Sequence, residues 1–306
     1  MTAHGFCSRV SEAEEGVFPG TGVRGEVYVL LPVEKRFWGA REMNTAWAAP
    51  AELDAIRQAR RAGVTTRLYN PPEGDGAPAI RVHASPSASA ASLETASGLT
   101  RALSAHGWTA EPVPAPCLAI CTQGTRDRCC AKWGFAVFRE ARSLWRAGRF
   151  PFEPLECSHL GGDRYAATGI VFPSGSMYGH LDRADLQLLG EAEAGGRILA
   201  GHYRGRVFEG DLTQIVRAGL ARDGHPVDAT SPLEILDPEA APGDLTVAAG
   251  EARFRVSLGV VESDFYGSCK ALAQARVSHA RRIVYERADR LQDAPRHGTA
   301  LSDGAS

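Results

Sequence analysis

The sequence predicts an α/β fold, and two of its features support that prediction. Short apolar runs of strand length alternate with stretches in which apolar residues recur at helical spacing. Turn sequences rich in Gly, Pro and Ser separate several of these runs. The 306 residues, of which 44% are hydrophobic and 23% charged, are enough for two domains, or for one elaborated domain, with a substantial core.

The N-terminal part, residues 1–112, predicts a small α/β unit. Residues 1–24 mix charged residues, Gly and Pro without periodicity, and we expect no regular structure there. A helix is expected between Pro50, which suits a first helical turn, and Gly63, which suits the position just after a helix end. Apolar runs on either side of this helix predict strands, namely 26–33, 64–69 and 80–83.

A serine- and alanine-rich stretch at 85–97, SPSASAASLETAS, contains few large apolar residues. Such a composition is typical of flexible insertions, so we interpret the stretch as a linker within the N-terminal part. A weak alanine-rich helix is the alternative interpretation.

Residues 113–205 form the second predicted unit, with the order strand, helix, three strands and helix. One helix is amphipathic, with five apolar residues along one side: Phe135, Phe138, Ala141, Leu144 and Trp145. A Pro-Ser-Gly turn indicates that the last two strands form a hairpin. The expected elements are strands at 116–121, 154–157, 167–172 and 176–181 and helices at 131–147 and 182–194. This order is close to that of a thioredoxin-like sheet with helices packed on it.

The remaining residues, 206–306, predict an α+β extension. A helix is expected at 212–221 and a strand at 252–260. The charged segment 271–290 is interpreted as a final helix, followed by a disordered end.

The composition narrows the functional classes. The net charge is −2, so no basic footprint indicates nucleic-acid binding. No apolar run approaches the roughly 18 residues that indicate a membrane span. The first thirty residues lack an apolar segment after a basic start, which argues against a secretory signal. We therefore expect a cytoplasmic protein that binds neither membranes nor nucleic acid.

The cysteines are the strongest functional signal in the sequence. Their number is odd, and an intracellular protein rarely has a disulfide framework, so metal, cluster or redox chemistry explains them better. Four of them fall between positions 117 and 130, although any single one could be a small buried apolar residue. The seven cysteines are Cys7, Cys117, Cys121, Cys129, Cys130, Cys157 and Cys269.

Cys121 and Cys130 are the first candidate ligands. Eight residues separate them, and the loop between them leads into the predicted helix, so it can curl back and bring both thiolates to one iron. The helix N-terminus and the nearby Arg126 or Arg128 favour the anionic sulfur. Cys129 is adjacent to Cys130, and vicinal cysteines rarely bind the same iron. One of these two is therefore a bystander, and the spacing does not say which.

The segment ECSHLGGDRYAA supplies the second group of candidates. His159 and Asp163 are four positions apart on a turn whose two glycines allow tight folding, so their side chains can converge. Histidine is an iron ligand in Rieske-type centres. Asp163 is an oxygen ligand, the partner of the second ring nitrogen of His159, or the ion-pair partner of Arg164. Cys157 lies two residues before His159 and is a competing ligand.

Three segments resemble a known family. Residues 120–134, ICTQGTRDRCCAKWG, resemble the cysteine loop of sucrase/ferredoxin-like proteins. Residues 156–168, ECSHLGGDRYAAT, resemble the second signature of the same family, and 170–181, IVFPSGSMYGHL, resemble the hairpin of thioredoxin-like [2Fe–2S] ferredoxins. The resemblance extends over most of 25–275.

This resemblance implies a thioredoxin-like ferredoxin domain that holds one [2Fe–2S] cluster. Cys121 and Cys130 match the first cysteine pair of such ferredoxins. In characterised fungal relatives a His-x-Gly-Gly-His motif replaces the second pair; His159 matches its first histidine, and Asp163 stands where the second would be. The implied function is the transfer of single electrons to or from a redox partner protein, a reductase or an acceptor. We expect an electron carrier rather than an enzyme with its own substrate.

Three other interpretations remain open at this point, and one of them is an interaction domain whose thiols are simply buried. A metal-free thioredoxin-like thiol oxidoreductase would use Cys121, Cys129 or Cys130, but a Cys-x-x-Cys motif is missing at the strand–helix junction. A structural zinc site would use Cys121, Cys130, Cys157 and His159, but their spacing lacks the paired cysteines of zinc knuckles.

Overall fold

A computed structural model describes residues 5–39 without 15 and 17, and residues 47–72, 78–111, 113–225 and 227–291. Helices and two sheets, one of nine strands and one of four, confirm the predicted α/β class. The α-helices of these ranges are α1 (Cys7–Glu14), α2 (Pro50–Arg61), α3 (Ala90–Ala102), α4 (Phe135–Arg146), α5 (Leu186–Ala194), α6 (Asp211–Arg222) and α7 (Cys269–Ala273). The strands of the same ranges are β1 (Val27–Pro32), β2 (Val64–Tyr69), β3 (Ala79–Ala84), β4 (Thr109–Ala110), β5 (Cys117–Cys121), β6 (Glu153–Cys157), β7 (Gly169–Phe172), β8 (Ser176–Tyr178), β9 (Tyr203–Arg206), β10 (Leu233–Ile235), β11 (Asp244–Ala249), β12 (Ala252–Phe265) and β13 (Ser278–Leu291). None of these helices has the length and apolar character that a bilayer crossing requires.

The large sheet has the strand order β4-β3-β1-β2-β6-β5-β7-β8-β9. Its central strand β5 lies between the parallel β6 and the antiparallel β7, and all five residues of β5 are buried. The predicted hairpin is formed by β7 and β8. β2 meets β6 through the pair Tyr69 and Cys157, so the N-terminal strands continue the same sheet. The domain boundaries near 112 and 205 stay predictions.

The direction of β5 and β6 decides where the two sequence motifs meet. Because these strands are parallel, their carboxyl ends lie at the same edge of the sheet, where Cys121 pairs in register with Cys157. Ligands of open α/β sheets bind outside such carboxyl ends. The loop after β5 leads to Cys130 and the loop after β6 leads to His159, so both motifs reach this edge.

The expectation of irregular structure over residues 1–24 is wrong for part of that segment. Residues 7–14 form α1, and Phe6 and Cys7 are buried in the core that also contains β5. Short helices have little stability of their own in water, so tertiary packing accounts for α1. The sequence pattern could not indicate this contact, because the partners of Cys7 lie far along the chain.

The interpretation of 85–97 as a linker is also wrong, and the helical alternative is correct. Residues 90–102 form α3, whose first turn is capped by the Ser89 hydroxyl, which accepts a hydrogen bond from the Ser92 amide at 3.3 Å. Ala96 and Leu99 are buried against the core beneath β1. Small side chains therefore pack closely here rather than leaving the chain without contacts.

The charged segment 271–290 is not a helix. It contains only the end of α7, and Ser278–Leu291 form β13, which pairs antiparallel with β12. The frequent charged residues of this segment favoured the prediction of a helix. Pairing with the long strand β12 outweighs that local preference, because strand formation depends strongly on neighbouring strands. Tyr285 is buried between β13 and α6, together with Ile215 and Leu220. The helix predicted at 212–221 is confirmed as α6, and the strand predicted at 252–260 is confirmed and extends to Phe265.

The helix predicted at 131–147 begins as one π-helical turn, Cys130–Gly134, and continues as α4. Phe138, Ala141 and Leu144 are buried as expected, whereas the other two residues of the predicted apolar side, Phe135 and Trp145, are 39% and 42% exposed. Gly134 lies directly against the end of β5, because a Cβ at this position would overlap the carbonyl oxygen of Cys121. The absence of a side chain thus lets the helix start approach the strand that ends in Cys121.

Replacing Gly134 by alanine should destabilise the fold. The added methyl group would force the helix start away from β5, and overpacking of this kind costs about 1–3 kcal/mol or more. The matched control is Gly98→Ala in α3, where a Cβ meets nothing within 4 Å and the gain in helix propensity is up to about 1 kcal/mol. Urea denaturation measures both free energies of unfolding. Equal free energies of unfolding for Gly134→Ala and Gly98→Ala would contradict the close approach of the helix start to β5.

Candidate metal centre

Cys121 and Cys130 meet where the strand edge and the helix start come together. Cys121 is the last residue of β5 and Cys130 is the first residue of the π-helical turn; each is 2% exposed. The connecting loop turns back through the hydrogen bond from the Arg126 amide to the Gln123 carbonyl, 3.1 Å long. The predicted proximity of the two thiols is therefore present.

His159 joins these two cysteines. One ligand atom each from Cys121, Cys130 and His159 can be chosen so that all three lie within 4.8 Å of one another. The imidazole is 26% exposed, so this donor group, which we call the Cys-Cys-His group, lies close to the surface. Three of the four predicted ligands thus converge in the structure.

The loop that carries His159 is fixed by Gln123 and by two glycines. The His159 amide donates a 2.7 Å hydrogen bond to Oε1 of Gln123. Gly161 and Gly162 have φ values of +94° and +77°, a conformation that glycine adopts without strain. Sequence reasoning did not single out Gln123, since a lone glutamine in a polar loop carries no recognisable signal.

Asp163 lies beside the Cys-Cys-His group. Its Oδ1 atom lies 3.1 Å from Nδ1 of His159 and 3.8 Å from Sγ of Cys130. The imidazole contact is close but lacks the alignment of a hydrogen bond, so Nδ1 of His159 has no satisfied partner among the described residues. Burial raises the pKa of Asp163 above its ordinary value, and the positive charges of His159 and Arg126 oppose this rise.

Cys157, the predicted competitor of Asp163, neighbours Cys121 across the sheet but is not one of the three converging donors. It is fully buried beneath the sheet edge, and burial raises the pKa of its thiol. Its sulfur is not among the described donor atoms that converge with Cys121.

The pKa values of the two converging thiols are shifted in opposite directions, which suits metal binding. The hydrogen bond with Cys130 holds the pKa of the Cys121 thiol well below its usual value, and His159 acts in the same direction. The same hydrogen bond raises the pKa of Cys130. A thiolate is the form of cysteine that binds metals, and the remaining proton is released when a metal binds.

The vicinal cysteine Cys129 faces a different set of residues. It contacts Cys7 and Cys269, and together with Asp127 these residues form a second cluster of potential ligands. Sequence analysis could not find this cluster, because 122 and 140 positions separate Cys129 from its two thiol neighbours. We call it the three-thiol cluster.

An arginine-lined cleft opens beside His159. Its volume is about 450 Å³, and among the described residues that line it there is no aspartate or glutamate. Arg24 on its wall is 62% exposed and pairs with Asp211 at 3.2 Å. The charged lining residues are Arg24, Arg60, Arg67 and Arg126.

A sequence model of one protein family matches the chain. The sucrase/ferredoxin-like model covers residues 26–205, which is more than half of the chain. The chain belongs to the sucrase/ferredoxin-like family. The predicted family membership is therefore confirmed, and the matched segment contains the Cys-Cys-His group and Asp163. Cys7 and Cys269 lie outside it. No curated protein and no solved structure matches the chain.

Proposed function

We propose that this protein transfers single electrons and holds one [2Fe–2S] cluster through Cys121, Cys130, His159 and Asp163. The convergence of two thiols and an imidazole within 4.8 Å is the observation that carries this proposal. Cysteine thiolates are the usual ligands of iron–sulfur clusters, and imidazoles replace thiolates on one iron in Rieske centres. When bound, such a cluster accepts and donates one electron at a time.

Asp163 is the fourth ligand in this proposal. Its carboxylate is the oxygen donor beside both Cys130 and His159, and it is 5% exposed. A buried carboxylate without a cation is unfavourable, and its 3.7 Å distance from Arg126 gives only partial compensation. Coordination to iron would neutralise its charge. Coordination would also oppose the rise that burial causes in the pKa of Asp163.

The protein residues have defined tasks in this proposal. Gln123 holds the backbone of the His159 loop, and Gly134 allows Cys130 to approach Cys121. The surrounding apolar side chains exclude water from the thiolates, and solvent access and hydrogen bonds to sulfur are among the factors that set the reduction potential. The partial exposure of His159 leaves a short path between this edge and a docked partner.

Metal analysis of the anaerobically purified protein tests the proposal. We expect about two irons and two sulfides per chain, and a visible absorption that dithionite bleaches. The variants Cys121→Ala and Cys130→Ala should contain neither iron nor sulfide. Cys117→Ala, which removes another fully buried thiol from the same strand as Cys121, should retain them.

Two other results would contradict the proposal. Zinc in place of iron would indicate that the Cys-Cys-His group binds a single ion, since zinc accepts the same ligand types. A colourless protein that takes up no metal after reconstitution, and that cycles between thiols and a Cys121–Cys130 disulfide, would favour the thiol oxidoreductase instead.

Changing Asp163 to histidine should raise the reduction potential. A neutral imidazole replaces an anionic carboxylate, so the oxidised cluster loses some of its stabilisation. Asp163→Ala should change the visible and electron paramagnetic resonance spectra. The control Asp54→His removes an exposed carboxylate on α2 and should change neither the spectra nor the reduction potential. Redox titration measures the potentials. If Asp163→Ala leaves both the spectra and the potential unchanged, Asp163 is not a ligand.

We infer that the redox partner docks on the arginine-lined cleft through an acidic surface. The cleft borders His159, so a partner bound there comes close to the redox centre. Complementary charge accelerates encounter and weakens with ionic strength.

Anionic and cationic small oxidants test this docking face without an identified partner. Ferricyanide should oxidise the reduced protein faster at low ionic strength than at high, whereas a cationic cobalt(III) complex should show the opposite trend. Arg24→Glu and Arg67→Glu should slow the ferricyanide reaction about tenfold. Arg255→Glu, on an exposed position of β12, should not. Stopped-flow absorption gives the rates, and identical rates for all three variants would exclude the cleft as the docking face.

A further inference from the structure

The three-thiol cluster has the dimensions of a metal site. Its Sγ–Sγ distances are 3.6 Å for Cys7 and Cys129, 3.2 Å for Cys129 and Cys269, and 3.8 Å for Cys7 and Cys269. With zinc–sulfur bonds of 2.3 Å, the edge of a coordination tetrahedron is about 3.8 Å. Three thiolates at these separations therefore need little movement to bind one ion at their centre.

Asp127 holds two of the thiols in place. Its Oδ1 accepts a 2.8 Å hydrogen bond from the Cys129 amide, and its Oδ2 accepts a 2.7 Å hydrogen bond from the Cys269 amide. A carboxylate has further lone pairs, so it can still bind a metal. An oxygen of Asp127 lies within 4.8 Å of all three sulfurs.

The environment of the cluster is poor in water and rich in potential negative charge. Cys7, Cys129, Cys269 and Asp127 are between 0% and 5% exposed. Deprotonated thiols or a carboxylate are costly in such surroundings unless a cation compensates them. A divalent ion would remove this cost.

We propose that Cys7, Cys129, Cys269 and Asp127 bind one structural zinc ion. Thiolate ligands favour zinc over magnesium or calcium, and zinc accepts a carboxylate oxygen beside sulfur ligands in tetrahedral geometry. The four protein ligands leave no open position, which is characteristic of structural sites. This site is separate from the Cys-Cys-His group and does not depend on the function proposed for that group.

The zinc ion would fasten α1 and α7 to the segment next to Cys130. Cys7 begins α1 and Cys269 begins α7, and both lie outside the segment that the family model matches. Cys129 precedes Cys130 in the chain, so the ion would fix the backbone next to a proposed cluster ligand. Structural zinc contributes directly to folding free energy.

Metal content and sulfur coordination of the full chain test the proposal. Protein produced with zinc and iron should contain about one zinc per chain besides its iron, and zinc X-ray absorption should show three sulfur neighbours at about 2.3 Å and one oxygen. Cys7→Ala and Cys269→Ala should lose the zinc and keep the iron. Cys121→Ala should show the reverse pattern, and Cys117→Ala should keep both metals.

Each alternative has its own signature. If the wild-type protein binds no zinc when one equivalent of Zn²⁺ is added under reducing conditions, the proposal is overturned. This measurement does not depend on the folding of any variant. Zinc that Cys121→Ala removes but Cys7→Ala retains would place the ion in the Cys-Cys-His group and overturn it as well. Alkylation and mass measurement showing a Cys129–Cys269 disulfide in the anaerobic protein would do the same, because disulfide sulfurs bind no structural zinc.

Discussion

The contact between Gly134 and the carbonyl oxygen of Cys121 is the constraint on which the Cys-Cys-His group depends. It sets the distance between the end of β5 and the start of the following helix, and therefore the distance between Cys121 and Cys130. The π-helical turn Cys130–Gly134 lies at the same place. Such turns occur frequently at functional sites, because they shift side chains relative to a regular helix. Local geometry, rather than the loop sequence alone, thus creates the thiol pair.

Sheet topology adds the third donor. β5 and β6 are parallel, so the residues that follow them emerge at one edge, and His159 reaches the thiols from the neighbouring loop. This explains why the Cys-Cys-His group was predictable: two short motifs, each following a recognisable strand, need only a parallel pairing to meet. The α/β class and most elements between 26 and 205 were predictable for the same reason, since local patterns and pairing agree there.

The features that sequence reasoning missed depend on distant contacts. β13 carries many charged residues and forms a strand because β12 offers a long partner. α1 is too short for independent stability and forms where Phe6 and Cys7 pack into the core. The three-thiol cluster joins segments more than a hundred positions apart, and no spacing rule connects them. Local sequence patterns carry no information about contacts between residues so far apart in the chain.

The adjacent cysteines Cys129 and Cys130 show how local and distant constraints combine. Cys129 has helical dihedral angles, and successive helical side chains diverge by about 100°. Two neighbouring thiols therefore cannot face one ion, which agrees with the expectation that only one of them serves the Cys-Cys-His group. The structure directs Cys130 to that group and Cys129 to the three-thiol cluster. A single peptide bond then links the two clusters, so an ion that fixes Cys129 would also restrict the backbone on which Cys130 is mounted.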